Sequence, residues 1–187
     1  DSIPALGALN MLAVVKSQQK DIDEAIVYAR RALAISNKVY GPTEGNLLVQ
    51  RNNLAVLESM AGNYRWAETE FRELLAVYHR IGSGNVVLSM IWLGNTRRLQ
   101  GDPQDSLKIH TDAIAKIQEP QRAAGTLLFK AHATLAEDER DLKMFDRARR
   151  DAEIAEEGFL SRRQSPNSAD VLNVRYVLAQ LDLLQGS

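Results

Sequence analysis

Residues able to carry out catalysis are few in this sequence, and they are scattered. Its three histidines, His79, His110 and His132, lie far apart, and none has a second histidine four residues away. That spacing would place two imidazoles on one helix face, as zinc binding requires. Cysteine is absent, which excludes a thiolate nucleophile, cysteine-ligated zinc and a disulfide framework. The sequence therefore predicts no metal site, no cofactor and no catalytic residue, and we expect the histidines to be surface or packing residues.

The remaining polar motifs are typical of turns and helix surfaces. Residues 82–85 read GSGN, without the Gly-Lys-Ser/Thr sequence that completes a phosphate-binding loop, so we interpret them as a turn. Asp138-Glu139 and Glu156-Glu157 are adjacent carboxylates. Neighbouring residues on a helix point in different directions, so we expect both pairs on polar helix faces without a shared proton.

The composition is that of a folded protein with balanced charge. The chain has 187 residues, of which 45% are hydrophobic and 25% are charged. Lys and Arg number 23 and Asp and Glu number 24, which offers no electrostatic attraction for nucleic acid or anionic membranes. No stretch reaches the ~20 apolar residues that span a bilayer, and the first residues, Asp1-Ser2-Ile3-Pro4, lack the basic region of a secretion signal. We expect a cytoplasmic location. The sequence begins without Met and partway through its pattern, so we expect a piece of a longer protein.

A leucine followed by a small residue recurs along the chain. The pairs are Leu12-Ala13, Leu54-Ala55, Leu93-Gly94, Leu135-Ala136 and Leu178-Ala179, with leucine spacings of 42, 39, 42 and 43 residues. Twelve residues after each of the first four small residues comes another, at Ala25, Ala67, Ser106 and Ala148. This spacing is expected where two antiparallel helices meet closely across a tight turn.

Turn and cap residues agree with this period. The predicted turns lie at Lys20-Asp21, Gly62-Asn63, Gly101-Asp102, Lys143-Met144 and Gly186-Ser187, where glycine can take the left-handed conformation that ends a helix. Asp21 and Glu24 form a predicted capping box, and Asp102 is a predicted N-cap before Pro103. Prolines predict breaks between repeats at Gly41-Pro42, Glu119-Pro120 and Ser165-Pro166.

These signals predict an all-α fold, a right-handed α-solenoid of about four and a half antiparallel helix pairs. Apolar residues recur at three- and four-residue steps, and no segment alternates as a strand. We predict nine helices in one array over residues 1–187, with repeats at 3–41, 43–82, 84–119 and 121–164 and a last helix at 167–185. Within each repeat we distinguish a first helix and a second helix.

The motif Leu54-Ala55, Gly62-Asn63-Tyr64, Ala67 and Phe71 resembles the tetratricopeptide repeat. A period near 42 residues is similar to the longer-helix variety found in kinesin light chains and in many bacterial regulatory proteins. The sequence departs from the family at Lys20 and Lys143, where the turn glycine is usual, and at Arg51 and His132, where an apolar residue is usual.

The resemblance implies a scaffold that binds proteins or peptides and is not an enzyme. We expect the interaction or sensor module of a larger bacterial regulatory or signalling protein. The alternative is a non-catalytic regulatory array attached to an enzyme, such as a kinase or a nucleotide-switch ATPase. A third hypothesis is an array that only assembles with itself.

Stacked helix pairs form a concave surface lined by their first helices, which is the expected peptide-binding site. The resemblance places there Asn10, Asn52, Asn53, Ile91, Trp92, Asn95, Arg98, Lys130, Arg140, Asn173 and Tyr176. An asparagine amide can both donate to and accept from the backbone of an extended ligand, and the cations could bind carboxylates. The alternative is that the asparagines bond within the array and the charges form a solvated face.

The last helix is apolar on more than one side. Its apolar residues are Leu172, Val174, Val177, Leu178, Leu181, Leu183 and Leu184. A terminal repeat normally has a polar outer face, and dense apolar patches usually mark contacts. We therefore expect this helix to be covered by further native chain or by a second copy in a homodimer.

Overall fold

The computed structural model describes residues 3–40, 45–117 and 125–186. Within these ranges all regular structure is α-helical. The helices are α1 Ile3–Gln18, α2 Ile22–Tyr40, α3 Gly45–Met60, α4 Tyr64–Arg80, α5 Val86–Leu99, α6 Pro103–Ile117, α7 Gly125–Asp141, α8 Phe145–Ser161 and α9 Ala169–Gln185. The predicted all-α fold class is confirmed, and so are nine helices within the described ranges. The predicted breaks at Gly41-Pro42 and Glu119-Pro120 lie outside those ranges, whereas Ser165-Pro166 falls between α8 and α9 as expected.

The odd-numbered helices are the first helices of the pairs, and the even-numbered helices are the second helices. The chain divides into two compact units, unit 1 at residues 1–89 and unit 2 at residues 90–187. The boundary between the units falls inside α5, so each unit is described by itself. A single array with the repeat limits given above stays a prediction.

Left-handed residues end the first helices at the predicted turns. The φ angles are 66° at Lys20, 89° at Gly62, 89° at Gly101, 61° at Lys143 and 72° at Gly186. After the first four of these residues, the next N–H donates back to a carbonyl of the first helix, as Met144 does to Glu139 at 2.7 Å. Two lysines therefore adopt a backbone conformation that favours glycine.

Polar side chains cap the starts of α6 and α9. Asp102 precedes α6, its Oδ1 accepts the N–H of Asp105 at 3.1 Å, and Pro103 is the first helical residue. Ser168 caps α9 by accepting the N–H of Val171. The hydrogen bond from Asp105 confirms the predicted N-cap at Asp102. Pro103 suits the first helical position, because proline has no N–H to leave unsatisfied there.

The core of each unit is a stripe of small residues on the second helices, packed against larger side chains of the first helices. In unit 1, Ala25 and Ala29 of α2 pack with Leu54 and Leu57 of α3. In unit 2, the α8 alanines at 148, 152 and 155 pack with α9 side chains such as Val174. The small residues allow the helices to approach closely, as their spacing predicted.

Candidate functional site

The first helices of unit 1 meet near their C-terminal ends, where the hydroxyl of Ser17 on α1 donates to the sulfur of Met60 on α3 at 3.9 Å. Their solvent-facing side is apolar. Met11 is 72% exposed and Val14 is 56% exposed, and Val49 and Met60 are also exposed. We call the solvent-facing side chains of α1 and α3 the unit 1 face.

The charged side chains of α1 and α3 point to the second helices. These two helices contain only three ionisable residues, Lys16, Arg51 and Glu58. Lys16 pairs with Asp21 at 3.3 Å and with Glu24. Each of these partners precedes or begins α2.

Arg51 and Glu58 of α3 are held in the same way. Arg51 pairs with Glu70 and, at 2.7 Å, with Glu73 of α4, and the bond to Glu70 is the main reason that its pKa is raised. Glu58 is buried, accepts from Arg30 of α2 at 2.5 Å, and accepts from the Asn63 amide at 2.6 Å. The unit 1 face therefore carries no ionisable side chain of α1 or α3.

The three asparagines predicted on unit 1 have different surroundings. Asn52 is buried, and its Oδ1 accepts the hydroxyl of Ser89 at 3.0 Å, which ties α3 to the start of α5. For this residue the structure favours the alternative of bonding within the array. Asn10 is half-buried, whereas Asn53 is exposed on the unit 1 face.

A row of charged contacts links the first helices of unit 2. Arg98 of α5 pairs with Glu137 and, at 3.4 Å, with Asp141 of α7. Arg140 donates to Asp141 at 2.6 Å and to the Gln180 amide oxygen of α9 at 2.5 Å. These five side chains link α5, α7 and α9 on one side, and we call them the unit 2 ladder.

The other residues predicted on unit 2 lie on the same first helices. Lys130 pairs with Asp170 at 3.5 Å, and Trp92 is half-buried. Asn95 has an enclosed Oδ1 with no hydrogen-bond partner among the described residues. Asn173 is exposed and Tyr176 is 65% exposed. The three predicted carboxylate-binding cations are thus already paired within the chain, and Asn173 and Tyr176 are free to meet a ligand.

A fully buried polar network lies inside unit 2. Asp138 of α7 contacts His110 Nδ1 at 2.6 Å through Oδ2 and accepts the Ser106 hydroxyl at 2.7 Å through Oδ1. His110 Nε2 donates to the carbonyl oxygen of Ile91 at 3.1 Å. All three side chains are 0% exposed. The network joins three helices, and its burial excludes direct contact with a substrate.

Gly94 makes room for this network. A Cβ atom at Gly94 would lie 2.3 Å from Nε2 of His110, which is closer than side-chain atoms approach. The carbonyl of Gly94 also lies 2.8 Å from the Ser106 hydroxyl. Gly94 therefore leaves space for the imidazole of His110 as well as for the close approach of the two helices.

A second polar cluster joins α7 to α8. Burial raises the pKa of Glu139 to about 8, the charge of Asp151 and a hydrogen bond to it act in the same direction, and Arg147 and Arg150 oppose them. Asp151 also contacts His132 Nδ1 at 2.6 Å. The Asp151 carboxylate thus lies between the carboxyl group of Glu139 and the imidazole of His132.

These buried groups correct two expectations from the sequence. Asp138 and Glu139 are buried at 0% and 4% exposure, so they do not lie on a polar helix face. His110 is not a simple packing residue, because both of its ring nitrogens are hydrogen-bonded. The signal lay in the repeat itself: His110 occupies the position of Phe71, seventeen residues after the repeat leucine, and Gly94 replaces the alanine found at Ala55.

No group of three or more His, Cys, Asp or Glu residues is placed to hold a metal ion in the described part of the chain. Among the same residues, no helix is long and apolar enough to cross a membrane.

The last helix buries only one of its apolar sides. Val171, Val174, Val177 and Leu181 pack toward α8, whereas Leu183 is 84% exposed. A shallow cleft of about 380 Å³ lies at this end of unit 2. It is lined by Arg140, Asp141, Lys143, Phe145, Gln180, Leu183 and Leu184.

Comparison with known proteins agrees with the repeat pattern. Residues 5–80 match the tetratricopeptide repeat family. A sequence search of curated proteins gave no match. Among solved structures, the chain is similar to nearly identical TPR-like repeats of a kinesin light chain from Podosopora anserina, with 16% identity and a TM-score of 0.70, covering 100% of this chain and 90% of that one.

Two further structures are similar over most of the chain. A Rap protein complexed with Competence and Sporulation Factor has 15% identity and a TM-score of 0.75, covering 100% of this chain and 56% of that one. BtubC from P. vanneervenii has 20% identity and a TM-score of 0.66, covering 87% of this chain and 66% of that one. The predicted resemblance to kinesin light chain-like and bacterial repeat proteins is confirmed at the level of the fold.

Proposed function

We propose that this chain, whose residues 5–80 match the tetratricopeptide repeat family, is a module that binds a protein or peptide on its first helices. The observation that carries the proposal is that each unit exposes first-helix side chains that its own packing does not use. In unit 1 they are apolar, as at Met11, and in unit 2 they include Tyr176. Exposed aromatic and methionine side chains of this kind are typical of binding surfaces.

The finer proposal is an interaction or sensor module of a larger bacterial regulatory or signalling protein in the cytoplasm. The likeness to a Rap protein supports it, because that protein, which has a similar fold, was crystallised in a complex with Competence and Sporulation Factor. An array attached to a kinase or a nucleotide-switch ATPase is the alternative. Sequencing the complete gene separates the two, since an adjacent catalytic domain would support the alternative.

A binding experiment tests the module itself. Partners are isolated from the source cells with the 187-residue chain as bait, and each candidate is then purified and titrated by calorimetry. We expect direct binding, and we expect Tyr176→Ala or Asn173→Ala to weaken it by roughly 1–2 kcal/mol, the usual effect of truncating a binding-surface residue.

A matched control comes from the second helices. Ile154 of α8 is also an exposed apolar residue of unit 2, so Ile154→Ala removes comparable surface away from the first helices. The Ile154→Ala variant should bind the partner with the same dissociation constant as the wild type. Equal weakening by Ile154→Ala and Tyr176→Ala would place binding elsewhere, and the absence of any direct partner would contradict the module.

We also propose that the exposed apolar end of α9 is a contact for further native chain or for a second copy of the protein. Leu183 is the most exposed apolar side chain named here, and Leu184 beside it is exposed as well. Sedimentation of the wild type and of Leu183→Glu at increasing concentration tests the second copy. A concentration-dependent mass that Leu183→Glu abolishes supports the homodimer, and a monomeric wild type excludes it.

A further inference from the structure

We infer that the unit 1 face accepts a partner segment whose contacting side chains are apolar and uncharged. This inference rests on the proposed function and names the class of ligand that one of the two units takes. It is drawn from the register of the face, from the pairing of its charges and from the contrast with unit 2.

The face consists of two stripes in the same register. On α1 the stripe runs through residues 7, 11, 14 and 18, and on α3 it runs through residues 49, 53, 56 and 60. These steps of four, three and four residues lie along one side of a helix. The side chains are Gly, Met, Val and Gln on α1 and Val, Asn, Val and Met on α3, so neither stripe contains an ionisable group.

The neighbouring charges cannot serve a ligand at this face without leaving their partners. Arg51 pairs with two glutamates of α4, and Glu58 is buried between Arg30 and Asn63. Lys16 pairs with Asp21 and Glu24. An ionised ligand side chain that docked here would lose water and find no opposite charge, which is costly.

The face offers the complementary interactions to an uncharged segment. Met11 and Met60 have flexible, polarisable side chains that adapt to apolar groups of different shapes. Asn53 is exposed among them, and its amide can donate to and accept from a main chain whatever the ligand sequence. Recognition would then rest on burial of apolar surface plus a few main-chain hydrogen bonds.

Helix α7 of unit 2 differs from the two stripes of the unit 1 face. The same register on α7 runs through Lys130, Thr134, Glu137 and Asp141, three of which are charged. Glu137 and Asp141 belong to the unit 2 ladder with Arg98. On α7, unit 2 therefore presents charged groups where the unit 1 face presents methionine and valine, whereas the same register on α5 and α9 contains no ionisable residue.

Selection from a phage-displayed library of random 12-residue peptides tests the inference on the 187-residue chain. We expect enriched peptides to be rich in apolar residues and poor in charged ones. Synthetic copies should bind the wild type with a dissociation constant that changes less than about twofold between low and high salt, because no ion pair is involved. Met11→Glu and Val14→Glu should each weaken these peptides about tenfold or more, because a charge is then buried at the contact.

Val27→Glu is the matched control. Val27 is an exposed valine of α2 in unit 1, so the substitution adds the same charge at similar exposure away from the face. It should leave peptide affinity unchanged, and circular dichroism should show all three variants folded. Peptides that bind but are insensitive to Met11→Glu and Val14→Glu, or that are mainly charged, overturn the inference and leave the proposed module intact. A library that yields no binding peptide contradicts peptide binding at either unit.

Discussion

Phe71 in unit 1 and His110 in unit 2 occupy the same repeat position, and both are completely buried. Phe71 is an apolar core residue, as the family pattern leads one to expect. His110 instead is bonded to Asp138 and to a backbone carbonyl. The comparison shows that the same repeat position can hold either an apolar ring or a polar group. The polar group is tolerated because its hydrogen-bond partners are buried beside it.

The same contrast extends to the surface. In unit 1 the charged side chains of the first helices pair with residues of the second helices, as Arg51 does with Glu70. In unit 2, Arg98 and Arg140 also link neighbouring first helices. Both units bury apolar and polar side chains. They differ in that unit 2 has a polar network at the repeat position where unit 1 has Phe71, and in that charged side chains link its first helices. The following substitutions test that difference, beginning with the largest expected effect.

Asp138→Ala should destabilise the protein most. It leaves the buried Nδ1 of His110 without its partner, and the Ser106 hydroxyl keeps only the Gly94 carbonyl. Breaking a buried hydrogen-bond network is among the most destabilising kinds of substitution, with a loss of about 3 kcal/mol or more. Chemical denaturation measures the loss in the free energy of unfolding.

The matched experiment gives unit 2 the apolar residues that unit 1 has at the same three repeat positions, although in unit 1 Leu57 packs with Ala25 and Ala29 of α2, and Ala67 and Phe71 lie on α4. Leu57 lies three residues after its repeat leucine, as Asp138 does, and Ala67 and Phe71 correspond to Ser106 and His110. The triple variant Ser106→Ala, His110→Phe, Asp138→Leu should therefore recover most of the stability that Asp138→Ala loses, because well-packed apolar replacements of buried polar groups are often neutral. A triple variant less stable than Asp138→Ala would show that the two units are not interchangeable at this position.

Glu139→Gln should change how stability depends on pH. The pKa of Glu139 is about 8 in the folded protein against 4.5 as the ordinary value, so the folded state holds the proton more tightly. The free energy of unfolding should then fall as pH rises from about 4.5 to 8 and level off above that. The glutamine variant removes this slope, and above pH 8 it should be more stable than the wild type by an amount on the order of a few kcal/mol.

Glu58→Gln is the corresponding substitution in unit 1. Glu58 lies four residues after its repeat leucine, as Glu139 does, but it is held by Arg30 and Asn63. Its replacement should lower stability, so the two variants should have opposite signs at high pH. Thermal unfolding at pH 5, 7 and 9 measures both, and a Glu139→Gln curve parallel to the wild type would contradict the shifted pKa.

Gly94→Ala should lower the free energy of unfolding by about 1–3 kcal/mol, because the added Cβ would overlap the imidazole of His110. Alanine is the better helix former by ~1 kcal/mol, so helix propensity alone predicts the opposite sign. In unit 1 the reverse change, Ala55→Gly, should destabilise as propensity predicts. A stabilising Gly94→Ala would mean that His110 can shift without loss.

The smallest effect is expected at the turns that join a first helix to its second helix, where each unit has one lysine and one glycine in the left-handed conformation. Lys20→Gly in unit 1 and Lys143→Gly in unit 2 should each raise stability by about 0.5–1 kcal/mol, because glycine takes a positive φ without strain. Gly62→Lys and Gly101→Lys should each lower it by a similar amount. Melting temperatures of the four variants measure these changes, and equal effects in both units would show that the turns do not share in the contrast between them.

The helices, their turns and much of their pairing were predictable from the sequence, because the signals are local. The small residues twelve positions apart, the N-cap at Asp102 and the turns at Gly62 and Lys143 act within one helix pair. Each follows from side-chain size or from backbone conformation, which depend little on the rest of the chain.

The candidate site was predictable only in part. Asn53, Asn173 and Tyr176 are exposed on first helices, as the resemblance led us to expect. Asn52 and the paired arginines could not be assigned from the sequence, because a side chain's free hydrogen bonds depend on its neighbours. Ser89 lies 37 residues from the Asn52 that it contacts, and Gln180 lies 40 residues from Arg140.

Only the tertiary structure decided which polar residues are buried. Asp138 and Glu139 are charged residues in a polar stretch of sequence, yet both are buried. Ser106 and His110 of α6 bond Asp138, and burial beside Asp151 of α8 raises the pKa of Glu139. The uncharged character of the unit 1 face also depends on other helices. Arg51 and Glu58 of α3 pair with Glu70 of α4 and Arg30 of α2, away from the face. Burial and ion pairing are properties of helices brought together in space, so the order of residues along one helix does not contain them.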